Sequence, residues 1–243
     1  MVSVKNVFDM TYIMQINNKI RRWWIKIAQL YFRYGTMNAS KSMQLLVVAH
    51  NYQEQDKKVL IFYPATDTRG DVDTVSSRIG ISKPAIRIDN SMDIISAIIS
   101  DIPNCVLVDE AQFLTKQNVL DFVKVVDELN IPVICYGLLR DFKNELFEGS
   151  YNLVCYADKL EEIKTICTYC NKKATMVLRF VNNEPKYEGE QVQIGGNESY
   201  KSVCRKHYFD PKIEIFEKVK SAEYYYPAYI SSKNTNKQPI NQM

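Results

Sequence analysis

The octet Gly35-Thr36-Met37-Asn38-Ala39-Ser40-Lys41-Ser42 decides the fold, because of what stands on either side of it. Before it runs the apolar stretch IAQLYFRY (27–34), which reads as a strand. After it comes KSMQLLVVAHNYQEQ (41–55), whose Leu45, Leu46, Val48, Ala49 and Tyr52 fall on one helical face. Strand, turn and helix in that order nearly fit G-x-x-x-x-G-K-[ST]. In such a turn the backbone N–H groups wrap phosphate oxygens, and the helix that follows adds its positive end. Lys41 would reach the β- and γ-phosphates of ATP, and the Ser42 hydroxyl would ligate Mg²⁺. One position departs from the pattern: Ser40 stands where the second glycine is expected, and a Cβ there restricts the backbone and the approach to phosphate. The bland alternative is an ordinary polar strand–helix turn.

Working outward, VLIFYP (59–64), CVLVDE (105–110) and PVICYG (132–137) read as short buried strands. Between them Ser91 can cap a helix with Ile94, Ile95, Ile98 and Ile99 in one stripe, and Thr115 can cap another with Val119, Phe122, Val126 and Leu129 on one face. This alternation predicts an α/β fold with a mostly parallel sheet covered by helices. Ligands of such sheets sit at the carboxyl ends of the strands, where the 35–42 turn and the acids Asp109 and Glu110 both fall. Asp109 is placed to hold Mg²⁺ and Glu110 to act as a general base, and Asp109, Glu110, Ala111 and Gln112 together are expected to line the ATP·Mg²⁺ site. Two exposed acids at a strand end are the plainer reading.

The chain has 243 residues and a normal share of apolar and charged side chains, enough to bury a sizeable core. It contains no apolar run of membrane-spanning length, and its N-terminus lacks the continuous apolar stretch of a secretory signal, so cytoplasm is the simplest compartment and no membrane partner is expected. Net charge is +3, but the two ends are net basic and the body between them is mildly acidic, which argues against a nucleic-acid-binding surface. Of six cysteines, Cys105, Cys135 and Cys155 sit in apolar, strand-like runs and read as core residues. Cys167-x-x-Cys170 and Cys204-x-x-His207 instead supply four N/S ligands, the set of a closed tetrahedral zinc that staples a loop with little core of its own. The other histidine, His50, has no partner by spacing and reads as a surface or packed helix residue. Four zones result: an extension at 1–26 that includes Trp23–Trp24, a nucleotide-binding core at 27–157, a zinc-bearing subdomain at 158–210, and a tail at 211–243 whose end has a disordered composition.

With these parts assembled, the chain resembles the type II (cytosolic-type) thymidine kinases, closest to their bacterial-type branch. YGTMNASKS, PATDTR, SSRIG, CVLVDEAQFL, IPVICYGLLRDF, C-x-x-C, VQIGGNESY and VCRKH occur in the family's order over about residues 28–209. The resemblance implies a RecA-like P-loop core, a zinc-held lasso closing over the nucleoside, a homotetramer, and transfer of the ATP γ-phosphoryl to the thymidine 5′-hydroxyl. It assigns Glu110 as general base, Lys41 to the phosphates, and Ser42 and Asp109 to the Mg²⁺ side. Met37, Phe113, Leu138 and Phe147 match the thymine pocket, and Tyr200 matches a lasso tyrosine. Asp67 and Arg69 match a D-x-R element near the phosphates, with Arg78 and Arg140 as further cations. Apolar members of that set, taken singly, read as plain core. The competing functions are another nucleoside kinase or a P-loop ATPase with structural zinc, marked by ATP hydrolysis without thymidine, and a non-enzymatic zinc module, marked by salt-dependent nucleic-acid binding.

Overall fold

A computed structural model describes residues 27–65, 73–89, 91–191 and 200–211. The expected N-terminal extension, nearly all of the tail, and Asp67 and Arg69 lie outside these residues. Six strands form one sheet in the order β5-β2-β6-β7-β1-β8: β1 (Leu30–Tyr34), β2 (Val59–Pro64), β5 (Ile86–Ile88), β6 (Cys105–Val108), β7 (Val133–Gly137) and β8 (Lys159–Glu162). Every neighbouring pair in it is parallel. A short antiparallel hairpin, β3 (Thr74–Ser76) and β4 (Ser82–Pro84), stands apart. Exposed Arg78 lies in its turn. The sheet extends to Glu162, past the core boundary expected at 157.

Alternation along the central strands feeds two cores. Val106 and Val108 of β6, with Val133 and Cys135 of β7, face one side and pack with α2 (Ile94–Ser100), α3 (Lys116–Asp127) and α4 (Glu148–Tyr156). Cys105, Leu107, Ile134 and Tyr136 face the other, against Leu45, Leu46 and Ala49 of α1 (Lys41–Gln53). Strands buried on both faces are what an all-parallel sheet requires, and their near-continuous apolar runs follow from it.

Two local expectations change. Asp93, not Ser91, caps α2, its carboxylate accepting from the Ser96 N–H at 3.0 Å, while the Ser91 hydroxyl donates to Asp89 instead. Only Ile94 and Ile98 of the isoleucine stripe are fully buried, and Ile99 is exposed. Cys155 is not a core strand residue: LVCYA falls in α4 and the thiol is exposed. Cys105 and Cys135 are buried as expected. Thr115 caps α3 in a full capping box with Asn118.

A smaller antiparallel sheet, β10-β9-β11, is built from β9 (Met176–Val181), β10 (Glu184–Lys186) and β11 (Tyr200–Val203), followed by the short α5 (Arg205–Phe209). Its own core is Leu178, Val203 and Tyr208 around Cys167 and Cys204.

The segment after β6 turns sharply through a short 3-10 helix, Ala111–Phe113. Gly149 at the start of α4 lets that turn approach: a Cβ at Gly149 would lie 2.3 Å from the Ala111 carbonyl oxygen and 2.9 Å from those of Gln112 and Leu114. These are backbone atoms and cannot swing aside. Gly149→Ala should therefore destabilise the chain by about 1–3 kcal/mol, the cost of overpacking. Urea denaturation of both forms measures it.

Candidate active site

The carboxyl ends of β1 and β6, with β7 between them, bring the phosphate-type turn and the paired acids together. The turn has the strand before it and α1 after it, as the octet predicts. The Gly35 N–H donates to the Gly137 carbonyl at 3.2 Å, tying the turn to β7. Asn38 (φ 61°) and Ser40 (φ 62°) both take the left-handed conformation. Ser40 therefore adopts the backbone shape that a glycine takes without strain, and its exposed side chain makes no capping bond to α1. Ala39 is buried beneath the turn. Lys41 is also buried, and its Nζ donates to the Thr36 carbonyl at 2.9 Å, so the ammonium is folded back along the turn.

Across from it, Asp109 is 5% exposed. Burial and the neighbouring Glu110 carboxylate push its carboxyl up to about 7, against the Ser42 hydroxyl, the Glu110 N–H and Lys41, which pull it down. The Ser42 hydroxyl, in the first turn of α1, bonds to Asp109, and these two oxygens are of the kind that suits Mg²⁺. Glu110 takes the left-handed conformation (φ 46°) at the strand end. Its carboxylate accepts from the Gln112 side-chain amide, and the Gln112 Oε1 in turn accepts from the Leu138 N–H at 2.9 Å. Gln112 is buried and its amide is spent on these two partners, which makes it a brace between Glu110 and β7. Gly137 makes room for it, since a Cβ there would sit 2.8 Å from the Gln112 Oε1.

The expected base-pocket residues cluster in part. Phe113 and Phe147 meet edge to face with centroids 5.7 Å apart, and Leu138 is tied to the same turn through Gln112. Met37 is joined to β11, since its carbonyl accepts from the Ser202 hydroxyl. Tyr200 packs 6.4 Å from Phe142, whose ring also carries the Arg179 guanidinium at 5.2 Å. Burial raises the Tyr200 phenol while Arg179 opposes it. Phe142, Arg179 and Ser202 were absent from the sequence-derived set. Ser202 had one usable signal: strand alternation in YKSV turns it to the same side as Tyr200. Arg140 pairs by backbone with Leu146 in the loop after β7, and His50 is an exposed residue of α1.

The four predicted metal ligands converge. Cys167 Sγ lies 3.3 Å and Cys204 Sγ 3.5 Å from His207 Nδ1, and Cys170 Sγ lies 3.8 Å from Cys204 Sγ. All four ligand atoms are within 4.8 Å of one another. A tetrahedral zinc, with bonds of about 2.3 Å to sulfur and about 2.0–2.1 Å to nitrogen, spaces its ligands about 3.8 Å (S–S) and about 3.5 Å (S–N) apart. The side chains thus fit the ion, and the sulfur separation is far beyond a disulfide bond. Burial opposes ionisation of Cys204, but the His207 N–H, the neighbouring thiols and the Lys206 N–H outweigh it and its thiol is lowered, as a metal ligand requires.

Among known proteins, a thymidine kinase family model matches residues 28–208. Thymidine kinases of Streptococcus pyogenes serotype M3 and of Lactococcus lactis are each 60% identical over 189 residues, which is 77% of this chain and 100% of theirs. One from Streptococcus agalactiae is 58% identical over the same span.

Two outcomes follow from the turn and the buried acid. Ser40→Gly should gain about 0.5–1 kcal/mol, the left-handed strain of a Cβ less the entropy of a glycine, read in a denaturant titration. Asp109 binds its proton more tightly folded than unfolded, so its contribution to stability is full below about pH 4 and lost as pH rises through about 7. The ligand-free chain should accordingly lose stability as pH rises from about 4 to about 7, and Asp109→Asn should flatten that slope in denaturation curves taken across the range.

Proposed function

The chain belongs to the thymidine kinase family, and on that premise we propose how its residues divide the work of the reaction. It is a phosphotransferase that uses ATP to phosphorylate the 5′-hydroxyl of thymidine, giving dTMP and ADP. One observation carries the residue assignment: the Ser42 hydroxyl of the phosphate turn bonds to the buried Asp109 at the end of β6, and the charge of Lys41 acts on the same carboxyl, so both halves of a nucleotide site meet there.

The N–H groups of residues 35–42 cradle the ATP phosphates, and Lys41 leaves the Thr36 carbonyl to neutralise the β- and γ-phosphates. Asp109 and Ser42 would hold Mg²⁺, which when bound neutralises charge on the β- and γ-phosphates. Glu110 accepts the proton of the 5′-hydroxyl as that oxygen attacks the γ-phosphorus. Gln112 holds one carboxylate oxygen of Glu110, so the other is presented to the hydroxyl in a fixed direction. Ala111, wholly buried, carries no chemistry of its own and seats the turn against Gly149. Phe113 and Phe147, with Leu138 and Met37, give the thymine an apolar wall, and Tyr200 closes on the nucleoside from the smaller sheet. Asp67 and Arg69 complete the phosphate side on the strength of the motif alone. Cys167, Cys170, Cys204 and His207 would hold zinc, which when bound would act as a structural staple, since four protein ligands leave no open position.

No helix among the described residues is long and apolar enough to cross a membrane. Work in the cytoplasm as a homotetramer rests on the family resemblance.

The test is ADP release from ATP·Mg²⁺ with thymidine against deoxycytidine, deoxyguanosine and deoxyadenosine. Thymidine-dependent release with dTMP formed is expected. Glu110→Gln should lower kcat by about 10²–10⁴-fold while thymidine still binds. Near-normal turnover in that variant would remove Glu110 from the role of base.

A further inference from the structure

Ser202 lies two residues before the zinc ligand Cys204, on β11, and is 5% exposed. Both of its polar side-chain and main-chain oxygen groups are committed. Its carbonyl accepts two bonds from Thr168, from the N–H at 2.9 Å and from the hydroxyl at 2.9 Å, and Thr168 directly follows the ligand Cys167. Its own hydroxyl donates to the Met37 carbonyl, across 165 residues of sequence and from the small sheet to the middle of the phosphate turn. A single residue, through its main-chain carbonyl on one side and its hydroxyl on the other, thus links the first cysteine knuckle to the phosphate turn.

The consequence follows from peptide geometry. Among the described residues every peptide bond is trans, so the Asn38 N–H points opposite to the Met37 carbonyl. Holding that carbonyl toward β11 aims the Asn38 N–H away from β11, to the opposite side of the turn. The same turn contains two non-glycine residues in the left-handed conformation, Asn38 and Ser40, which local sterics disfavour. Contacts from outside must hold such a shape.

We infer that Ser202 is a positioning residue for ATP: its hydroxyl fixes the Met37–Asn38 peptide so that the phosphate turn stands ready for the nucleotide, and it transmits the order of the zinc-stapled subdomain to that turn. The inference rests on the kinase reading of the 35–42 turn. It assigns Ser202 no contact with either substrate.

The test uses the full chain loaded with zinc, as wild type, Ser202→Ala and Ser202→Thr. Calorimetry reads ADP·Mg²⁺ binding, metal analysis reads zinc content, and steady-state assays separate KM for ATP from kcat. Loss of one neutral hydrogen bond predicts about a three- to tenfold rise in the ADP Kd and in KM for ATP. Zinc content should be unchanged and kcat at saturating ATP should stay within about twofold. Ser202→Thr, which keeps the hydroxyl and suits a strand, should return both constants toward wild type. Wild-type affinity in Ser202→Ala would overturn the inference, as would loss of zinc from that variant, a fall in kcat with KM unchanged, or a threonine variant no better than alanine. A wild-type chain that neither binds ADP nor phosphorylates thymidine would sink the kinase reading itself, and this inference with it, a pattern distinct from the others.

Discussion

Keeping a carboxylate buried beside another carboxylate is expensive, and the site is arranged around that cost at the end of β6. Asp109 is almost wholly enclosed and Glu110 follows it directly, so desolvation and repulsion both favour a proton on Asp109. The Ser42 hydroxyl, the Glu110 N–H and Lys41 oppose this without cancelling it. Such a residual imbalance is what a divalent cation relieves, since its charge favours the ionised carboxyl. Glu110 is handled differently. It leaves the strand in a left-handed conformation, and Gln112 fixes its carboxylate against β7. Two adjacent acids therefore receive separate environments, one enclosed and one presented, which is the difference that the proposed roles of metal holding and proton transfer call for. The glycines at 137 and 149 serve the same end by admitting the turn that carries Glu110 and Gln112 close to β7 and α4.

Much of this was legible in the sequence wherever the signal was local. Strand, turn and helix around residues 35–42 follow from apolar runs and one lysine. The zinc ligands follow from the chemistry of thiol and imidazole at two short spacings, and their distances agree with tetrahedral geometry. What the sequence hid was competition between near-equivalent neighbours. Ser91 and Asp93 are both capable caps, and Asp89 decides between them by taking the Ser91 hydroxyl. LVCYA is too short to tell strand from helix, and α4 claims it, leaving Cys155 exposed. KLEE carries charges that suit β8, an edge strand paired only with β1, and the polar run gave no strand signal by periodicity. Ser202 was hidden for another reason, as its partner is 165 residues away.

The serine at position 40 separates two reasons for a glycine in a phosphate turn, space and backbone angle. Space is not the constraint here, because the Ser40 side chain is exposed and has no partner in capping α1. The angle is, because Ser40 stands at φ 62°. A residue with a Cβ can be held at that angle when its surroundings determine the path of the chain. In this turn they do so at two points, Gly35 bonded to Gly137 on β7 and the Met37 carbonyl to Ser202, while Lys41 bonds back to the Thr36 carbonyl within the turn. The first anchor belongs to the core, and the second comes from the smaller sheet beside the Cys/His cluster. The turn's shape is therefore set jointly by the two parts of the chain that must meet around a nucleotide and a nucleoside. The departure from glycine is tolerated because the turn is clamped from outside, not because the phosphate site has relaxed its geometry.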